Sequence, residues 1–541
     1  MTTPLPAISA LVRAGAVERA AELYTAGGYG ERAQDPAARS VLGRLLKARG
    51  RQAAGTAQAS LFRQAAAAYA AAHALAPAPY LAINAATLHY LAGEWGAAQA
   101  GARAVLDLLA ADPPPSDTPY FLAATRAEAL LLLDDPAGAE RALEQAAAHD
   151  PDGWADRATT IAQFSEILAA RCAPADWLDR FAPPACLHFA GHMGLASGGA
   201  GEAALAAAVD ALIAQERIGF AWGALAAGSD IVIAERLLAT GAEVQAVLPC
   251  DPEQFAAQSV APAGQDWLNR YHAVLGRAAS LQLAASDPAA VHDPLATAHA
   301  GELAIGGAML GARALAARCC QLIVTDAEGG GRNTARQAAM WPSGAGIQHR
   351  LTIARDAGIE SRFPPERRDP TRALAVHVAI QLDELVGAGR IEPPAIAALT
   401  EPVGQALAVL DSRRVRAAPG RWELVLDDAE SALTVMLEVL EHSRAAGLPG
   451  PSIGAHIAIS DLHDDPASGA LIPYGPGIPL ARALQAMAPP GLALISDSLA
   501  VTLFARGITS VRSELYHPGD AASDGAVHVL LRGCEGSSSR T

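Results

Sequence analysis

Two glycine-rich turns, each next to an apolar run, constrain this chain more than any other feature. The first spans residues 223–230 and opens an alanine-rich helix that precedes the apolar run 244–248; the second spans residues 326–334 and follows the apolar residues 322–325. A strand that ends in glycines and leads into a helix brings bare backbone N–H groups and the positive end of a helix dipole to one place. The pattern predicts a site for a phosphate-bearing ligand, although neither turn has strict dinucleotide-binding or P-loop spacing.

The bulk composition excludes several classes of protein. A length of 541 residues predicts three or four domains, and a net charge of -16 argues against binding nucleic acid through a general electrostatic field. The six cysteines include no Cys-x-x-Cys pair, so neither a zinc ribbon nor a disulfide framework is supported. We expect no cofactor beyond a nucleotide-type ligand. Without a signal peptide or an apolar stretch of about 20 residues, the sequence favours a cytoplasmic protein that makes no membrane contact.

Residues 1–183 are dominated by alanine and leucine and predict one helix after another. Segments 79–98 and 119–139 echo each other, since each starts with Pro-Tyr and continues through small residues to a turn and a second alanine-rich face. A third copy begins near Trp154. The pattern is typical of stacked helical hairpins and resembles diverged tetratricopeptide repeats, which implies binding of a protein partner. The alternative is an irregular helical bundle.

From residue 184 the pattern changes to short apolar runs that alternate with helices. Runs at 186–190, 243–248 and 320–325 predict strands of a parallel sheet covered on both faces. Ligands of such sheets bind at the carboxyl ends of the strands, where both glycine turns would lie. We therefore assign residues 184–349 to a Rossmann-like α/β domain. Residues 350–371 are rich in charge and proline, which predicts a linker with solvated charges.

Residues 372–541 have a different alternation. Strands are predicted at 373–382, 422–426, 453–459, 492–495 and 527–531, with helices at 393–411, up to 445, and at 478–487. This mixture predicts an antiparallel-rich α+β domain of ferredoxin-like type with its helices on one side of the sheet.

The middle region resembles the SLOG group of Rossmann-like domains, which includes cytokinin-activating phosphoribohydrolases and DNA-processing proteins. Gly191-His192-Met193 and the two glycine turns carry the resemblance. It implies that the turns hold a nucleotide or a nucleotide-derived ligand. Hydrolases of the group follow their late glycines with a threonine and a catalytic glutamate. Here Thr334 is followed by Ala-Arg-Gln, so the resemblance supports ligand binding but no catalytic residue.

The last region resembles class III adenylate/guanylate cyclase domains. The segments that carry this resemblance are 421–428, 452–458, 474–482 and 488–497. In such cyclases two aspartates hold two metal ions, and the aligned positions here are His377 and Gly420. The asparagine of the family's helix falls at Ile478, and only Arg482, a contact of the triphosphate, is kept. Two divalent ions need carboxylate oxygens, so the resemblance implies a domain without cyclase activity that pairs with a second copy.

Two nearby carboxylates, Asp383 and Asp427, are not expected to reach the metal position. His377 is interpreted as a core histidine rather than a metal ligand. Arg482 is interpreted as an ion-pair former or, alternatively, as a residual phosphate contact. No metal site is predicted.

The candidate ligand-binding residues come from the strand ends and the two turns. His192 either faces the ligand or caps a loop, and Asp230 either caps a helix or contacts a ribose hydroxyl. Asn333 and Thr334 are expected to cap the following helix and to touch the ligand. The full set is Gly191, His192, Met193, Gly223, Gly228, Ser229, Asp230, Asp326, Gly329, Gly330, Gly331, Asn333 and Thr334.

Three functional hypotheses follow from these patterns. The first is a non-catalytic signalling protein whose middle domain binds a nucleotide-type molecule. Its repeats would bind a protein partner or the other domains of the same chain, and its last domain would dimerise or transmit the signal. This layout resembles bacterial conflict and nucleotide-signalling systems. The second is an enzyme that cleaves a nucleotide or NAD-like N-glycosidic bond through His192 or Asp230. The third is a residual nucleotide cyclase.

Overall fold

A computed structural model describes residues 4–111, 118–285, 293–359, 362–364, 367–382, 393–410, 414–448, 450–466, 471–520 and 525–532. The chain divides into two compact units, residues 1–183 and residues 184–541. None of the helices in these ranges has the length and apolar character that a bilayer crossing requires.

The first unit is helical throughout its described part, which confirms the prediction for this region. Its helices are α1 (Leu5–Arg13), α2 (Val17–Ala26), α3 (Pro36–Gln52), α4 (Gly55–Leu75), α5 (Pro79–Leu91), α6 (Trp95–Ala110), α7 (Pro119–Leu132), α8 (Pro136–His149) and α9 (Trp154–Ala170). The hairpins α5–α6 and α7–α8 have matching turns, in which Gly93 (φ 82°) and Asp134 (φ 69°) occupy equivalent left-handed positions. The similarity to tetratricopeptide repeats stays a prediction.

The second unit begins with a six-stranded sheet in which every neighbouring pair is parallel, as predicted. The strand order is β4-β3-β2-β1-β5-β6, so the order reverses between β1 and β5. The strands are β1 (Ala185–Ala190), β2 (Ile218–Gly223), β3 (Glu243–Leu248), β4 (Ser280–Leu283), β5 (Cys319–Thr325) and β6 (Ile347–Thr352). The connecting helices are α10 (Ala200–Glu216), α11 (Ser229–Ala239), α12 (Pro252–Ser259), α13 (Gln265–Leu275), α14 (Pro294–Ala314) and α15 (Arg332–Met340).

Part of the segment predicted to be a solvated linker belongs to the parallel sheet, and the residues that follow bind to the loops at the edge of that sheet. Residues 350–352 belong to β6, and Arg355 forms an ion pair with Asp326. The Asp356 N–H donates to Gly194 O at 2.7 Å, and the Asp356 carboxylate accepts from Ala196 N at 2.7 Å. The expectation that these charges are solvated is therefore wrong for Arg355 and Asp356, because they tie the segment to the loop after β1.

A second, antiparallel-rich sheet follows in the order β13-β14-β12-β10-β7-β9-β8, with β11 paired to β10. Its strands are β7 (Arg372–Gln381), β8 (Val415–Ala418), β9 (Arg421–Leu426), β10 (Ser452–Asp464), β11 (Leu471–Tyr474), β12 (Ala493–Ser496), β13 (Val511–Asp520) and β14 (Gly525–Arg532). Its helices are α16 (Pro393–Leu407), α17 (Ala429–Ala445), α18 (Gly477–Met487) and α19 (Asp497–Ala505).

Helices cover both faces of this sheet, so the prediction of helices on one side is wrong. Ile453 and Ala455 of β10 belong to one apolar core with residues of α16, α17 and α19. Gly454, between them, faces the opposite way, and a Cβ there would lie 2.8 Å from Gln485 Cα in α18. The missing side chain at Gly454 is what allows α18 to lie directly on the strand.

The two sheets are joined through α14. A Cβ built on Gly306 of α14 would overlap the carbonyl oxygen of Val501 in α19. Glu302, one turn earlier, accepts hydrogen bonds from Arg506 at the end of α19 at 3.0 Å and from Arg336 of α15 at 3.2 Å. Helix α14 therefore contacts helices of both sheets at one buried acidic residue.

Candidate functional site

A cavity of about 330 Å³ lies at the carboxyl edge of the parallel sheet. Its walls come from the loops after β1, β2 and β3, from the start of α15 and from one face of α14. The strand order reverses between β1 and β5, and the crevice above such a reversal is where open α/β sheets bind ligands. The cavity therefore occupies the position that the topology favours for a small molecule.

About half of the predicted ligand-binding residues line this cavity, and the rest do not. The lining residues of the predicted set are Gly191, His192, Met193, Asp230, Gly331, Asn333 and Thr334. Those that do not line it are Gly223, Gly228, Ser229, Asp326, Gly329 and Gly330.

The first glycine turn holds two loops together rather than presenting its amides. Gly228 has φ 89°, and a Cβ there would lie 3.1 Å from His192 O. Ser229 donates to the same carbonyl from its N–H at 3.2 Å and from its hydroxyl at 2.9 Å. Gly223 packs against Phe189, whose Cε2 lies 2.6 Å from a Cβ built there. These glycines are needed for close backbone approach, which is a second reason for a glycine at a strand end.

The second turn is arranged so that α15 begins with free donors at the cavity wall. The Asp326 carboxylate accepts from the N–H groups of Glu328 at 3.0 Å and Gly330 at 2.9 Å, and so folds the turn back on itself. No side chain of the described residues caps α15 at Gly331. The Thr334 hydroxyl instead donates to Gly191 O at 3.1 Å. The first-turn amides of α15 are thus available to an acceptor in the cavity.

His192 lines the cavity, but both of its ring nitrogens are used by the backbone. Nε2 donates to Ile353 O at 2.9 Å, and Nδ1 accepts from Gly194 N at 3.2 Å. Burial is the main cause that lowers the pKa of this imidazole. The ring is neutral at neutral pH and fastens the loop after β1 to the segment after β6, which does not support acid–base work.

Asp230 is the acidic group of the cavity, and it is 6 % exposed. Its carboxylate accepts from Gly191 N at 2.9 Å and from Ala226 N at 3.3 Å, in the first turn of α11. Burial raises its pKa to about 7, against the two backbone hydrogen bonds, which lower it. The side chain ties two loops together and still reaches the cavity.

This raised pKa makes the stability of the protein depend on pH. The ordinary pKa of an aspartate is 3.8 and the folded value is about 7, so between these values the folded state binds more protons than the unfolded state. The free energy of unfolding of the wild type, relative to Asp230→Asn, should therefore fall as the pH rises from about 4 to about 7, by at most about 1.4 kcal/mol per pH unit. Urea unfolding of both proteins across this range measures the difference; a difference that does not change with pH would contradict the assignment.

The apolar half of the cavity comes from residues that carry no motif. Ala300, Gly301 and Ala304 form the wall on α14, with Phe255 of α12 beside them. Phe363 belongs to the segment predicted to be a linker, and it also lines the cavity. The only sequence signal for this wall is the four-residue spacing of Ala300 and Ala304 on one helix face. The further apolar residues that line it are Ala224, Ala226, Val247, Pro249, Cys250 and Pro364.

The residues at the positions aligned with the cyclase metal ligands and helix asparagine do not form a metal site. His377 is fully buried, its Nε2 shares a hydrogen bond with the Ser460 hydroxyl at 3.0 Å, and burial lowers its pKa to about 4. A Cβ on Gly477 would lie 2.6 Å from His377 Cγ, so α18 covers this ring. Gly420 lies in the turn between β8 and β9 with φ 69°, and Ile478 is buried in α18. His377 is thus the core histidine that the sequence suggested.

Two arginines of this region form ion pairs with nearby carboxylates. Arg482 donates from Nε to Glu423 at 2.6 Å, and Arg414 donates to Asp427 at 2.7 Å. Asp383 lies outside the described residues. Within the described ranges, no group of three or more histidine, cysteine, aspartate or glutamate side chains is arranged to hold a metal ion.

Comparison with known proteins finds similarity to solved structures only. No protein-family model matches the chain, and no curated protein matches it. A rhodopsin–guanylyl cyclase catalytic core in complex with ATPαS matches 30% of this chain and 97% of its own, at 13% identity and a TM-score of 0.24. The guanylate cyclase domain from Catenaria anguillulae in complex with GTP matches 30% of this chain and 98% of its own, at 15% identity and a TM-score of 0.24. A dimeric guanylyl cyclase domain from Blastocladiella emersonii matches 30% of this chain and 96% of its own, at 14% identity and a TM-score of 0.25.

Proposed function

We propose that this protein is a nucleotide-signalling protein that binds a mononucleotide or a nucleotide-derived molecule in the cavity of the parallel sheet. The observation that carries the proposal is the convergence of the uncapped start of α15, the loop after β1 and an apolar wall on α14 around one cavity. Such a site offers donors and a positive helix end to a phosphate, and a flat apolar surface to a base.

The size and charge of the cavity support one nucleotide rather than two. Ligand cavities span about 300–1,000 Å³, and about 330 Å³ is at the lower end of that range. Arg332 stands at the first position of α15 and lines the cavity, and its side chain is exposed to solvent. A phosphate at the start of α15 would meet both the free amides and this guanidinium, while the base would lie towards Phe255 and Phe363.

The second sheet is proposed to transmit the state of the cavity without acting as a cyclase. Its resemblance to class III cyclase domains lacks metal-binding aspartates at the aligned positions His377 and Gly420. Helix α14 supports the transmission, because Ala300 and Ala304 face the cavity while Gly306 packs on α19. A ligand that binds more tightly to one position of α14 would shift the equilibrium between two positions of the second sheet. The size of that shift is set by the difference in the ligand's binding free energy between the two states. Pairing of this sheet with a second copy belongs to the same proposal.

The helical unit is proposed to bind a protein partner. Aromatic side chains stand exposed at the starts of successive helices, where Tyr80 of α5 is 45%, Trp95 of α6 is 52% and Phe121 of α7 is 43% exposed. Exposed aromatic side chains are enriched at protein interfaces, and their recurrence along the hairpins supports this role.

Replacing Arg332 tests the proposal. In isothermal titration of the whole chain with AMP, IMP, GMP, CMP and UMP, we expect at least one to bind, and Arg332→Glu to weaken it by about 10- to 100-fold because a like charge then faces the phosphate. Raising the salt concentration should weaken wild-type binding and leave the variant less affected.

The matched control is Arg416→Glu, which makes the same charge change at an exposed position of β8. The affinity of this variant for the nucleotide should be within about twofold of the wild-type affinity, since an exposed charge away from the cavity is screened at physiological salt. Absence of binding by every nucleotide, or equal loss in both variants, would contradict the proposal. Formation of a cyclic nucleotide from ATP or GTP with Mn²⁺, abolished by Arg482→Ala, would overturn the inactive assignment of the second sheet.

One observation favours a second candidate function, the cleavage of an N-glycosidic bond. Asp230 lines the cavity, and a carboxyl group with a pKa near 7 has the property of a general acid or base. The engagement of both nitrogens of His192 leaves Asp230 as the candidate for that role. Release of a free base from the bound nucleotide, absent in Asp230→Asn, would favour this function over binding alone.

A further inference from the structure

A row of four hydrogen-bonded side chains, one half-buried and three buried, leads from the far edge of the parallel sheet to the cavity. Gln348 of β6, Gln321 of β5, His188 of β1 and Gln337 of α15 are joined by successive hydrogen bonds. Each link has one direction, because backbone carbonyls only accept and guanidinium groups only donate. The donor and the acceptor of each hydrogen bond can therefore be assigned by starting from the end of the row, where Gln348 contacts groups of fixed role.

The first two glutamines are oriented by groups that have a single role. Arg350 Nε donates to Gln348 Oε1 at 2.9 Å, so Gln348 Nε2 is the nitrogen that donates to Ala338 O at 2.8 Å. The same nitrogen donates to Gln321 Oε1 at 2.5 Å. Gln321 Nε2 then donates to the backbone oxygen of Gln337 at 3.1 Å, which confirms its orientation independently.

This orientation determines the tautomer of His188. Gln321 Nε2 lies 3.0 Å from His188 Nδ1, so Nδ1 must accept and the proton must be on Nε2. The Nε2–H group then donates to Gln337 Oε1 at 2.9 Å. His188 is fully buried, and burial lowers its pKa to about 4, so the ring is neutral at neutral pH and keeps this single tautomer.

Because its oxygen is occupied by His188, Gln337 presents its amide nitrogen to the cavity. The side chain lines the cavity, and its Nε2 lies 3.2 Å from the place where a Cβ of Gly301 would be. Gln337 is five residues after Arg332, the first residue of α15, so it lies about 7.5 Å deeper along the helix than its start. Its neighbours there, Ala300, Gly301 and Ala304, are apolar.

We propose that Gln337 determines specificity by donating a hydrogen bond to a carbonyl oxygen or an unprotonated ring nitrogen of the ligand's base. The inference rests on the proposed function and adds the chemistry of the base to it. A phosphate is better placed at the solvent-exposed start of α15 beside Arg332, whereas the apolar surroundings of Gln337 suit a neutral, flat acceptor. A fixed donor rejects a base that presents its own donor, because two N–H groups would then face each other unpaired.

Gln337→Glu tests the proposal, since it keeps the size of the side chain and can still accept from His188. Its second oxygen would place an acceptor where the wild type has a donor. Titrated with AMP, IMP, GMP, CMP and UMP, the variant should bind the tightest wild-type ligand at least about 10-fold more weakly. Gln265→Glu, the same change at an exposed position of α13, should bind it within twofold.

The orientation of Gln337 has its own readout, which needs no ligand. Nitrogen-15 NMR of histidine-labelled protein should show His188 as the neutral Nε2–H tautomer from pH 5.5 to pH 8. A protonated Nδ1 would overturn the inference even if nucleotides bind. The expected tautomer together with unchanged binding by Gln337→Glu would overturn the role in specificity but not the proposed function. If no nucleotide binds the wild type, the proposed function fails, and this inference fails with it.

Discussion

Replacing Gly306 by alanine is expected to lower the free energy of unfolding of residues 184–541 by about 3 kcal/mol or more. The added Cβ would overlap the carbonyl oxygen of Val501 and lie 2.5 Å from its carbonyl carbon. Both obstacles are backbone atoms, so no side-chain rotation relieves the contact and α14 must move away from α19. Alanine in place of a mid-helix glycine ordinarily gains about 0.5–1 kcal/mol, which is smaller than the expected loss.

Gly404→Ala is the matched control for this measurement. Gly404 is an exposed helical glycine of α16 in the same unit, and nothing lies within 4 Å of a Cβ built there. It should stabilise the protein by about 0.5–1 kcal/mol. Thermal and urea unfolding of the wild type, Gly306→Ala and Gly404→Ala measures the two changes in stability. Equal stabilisation by both substitutions would mean that α14 and α19 do not touch as described.

The contact at Gly306 also bears on the proposed transmission. The helix turns that contact α19 are continuous with the turns that line the cavity, and Glu302, in the cavity-lining part of α14, binds Arg336 of α15 and Arg506 at the end of α19. Displacing α14 at Gly306 therefore changes the cavity wall as well. In Gly306→Ala, nucleotide affinity and stability should fall together if the two sheets are coupled.

The sequence predicts three of the four inner strands of the parallel sheet, β1, β3 and β5, but neither β2 nor the two edge strands. β1, β3 and β5 are mostly apolar, with one or two polar residues each, because both of their faces are covered. β4 has four residues, and two of these are exposed, while β6 has the polar sequence Ile-Gln-His-Arg-Leu-Thr. An edge strand does not need an apolar run, and so its pattern resembles that of a loop. For this reason the sequence predicts a solvated linker from residue 350, where β6 is still part of the sheet.

The prediction of the second sheet is incomplete for a similar reason. β8, β11 and β13 are short or polar, and the sequence does not predict them. The predicted limits of β7 and β14 are within two residues of the observed ones, whereas β10 continues five residues beyond its predicted end. Helix α19 was also missed, although Ser496 accepts from Leu499 N at 3.2 Å as its cap. A serine before an apolar run is a recognisable start signal, and this signal was available in the sequence.

The polar side of the cavity was predictable in part, and its apolar side was not. Glycine turns mark strand ends, so Gly191, Gly331 and Thr334 could be placed near one another from sequence. Sequence does not distinguish a glycine that exposes its amide from one that permits close packing, which is why it predicts Gly223 and Gly228 as ligand contacts although they do not line the cavity. Ala300, Gln337 and Phe363 reach the cavity only through long-range packing.

Arg372→Met is expected to lower the free energy of unfolding by about 3–5 kcal/mol, because removing one partner of a buried ion pair leaves the other charge without compensation. Arg372 begins β7 and donates to Asp293 at 3.1 Å, and both side chains are 2% exposed. Asp293 also caps α14 by accepting from Leu295 N at 2.9 Å. The pair therefore connects the first strand of the second sheet to the helix that lines the cavity.

The double variant Arg372→Met/Asp293→Asn separates the lost charge from the lost packing. Asparagine is uncharged and is as good a helix cap as aspartate, so the double variant should be more stable than Arg372→Met alone. Arg482→Met removes an arginine from the pair with Glu423, in which the Arg482 side chain is 59% exposed, and should change stability by no more than about 1 kcal/mol. Urea unfolding of all three variants gives the comparison. A double variant less stable than Arg372→Met would show that the carboxylate of Asp293 is stabilised by groups other than Arg372, and would remove the ion pair as the connection between β7 and α14.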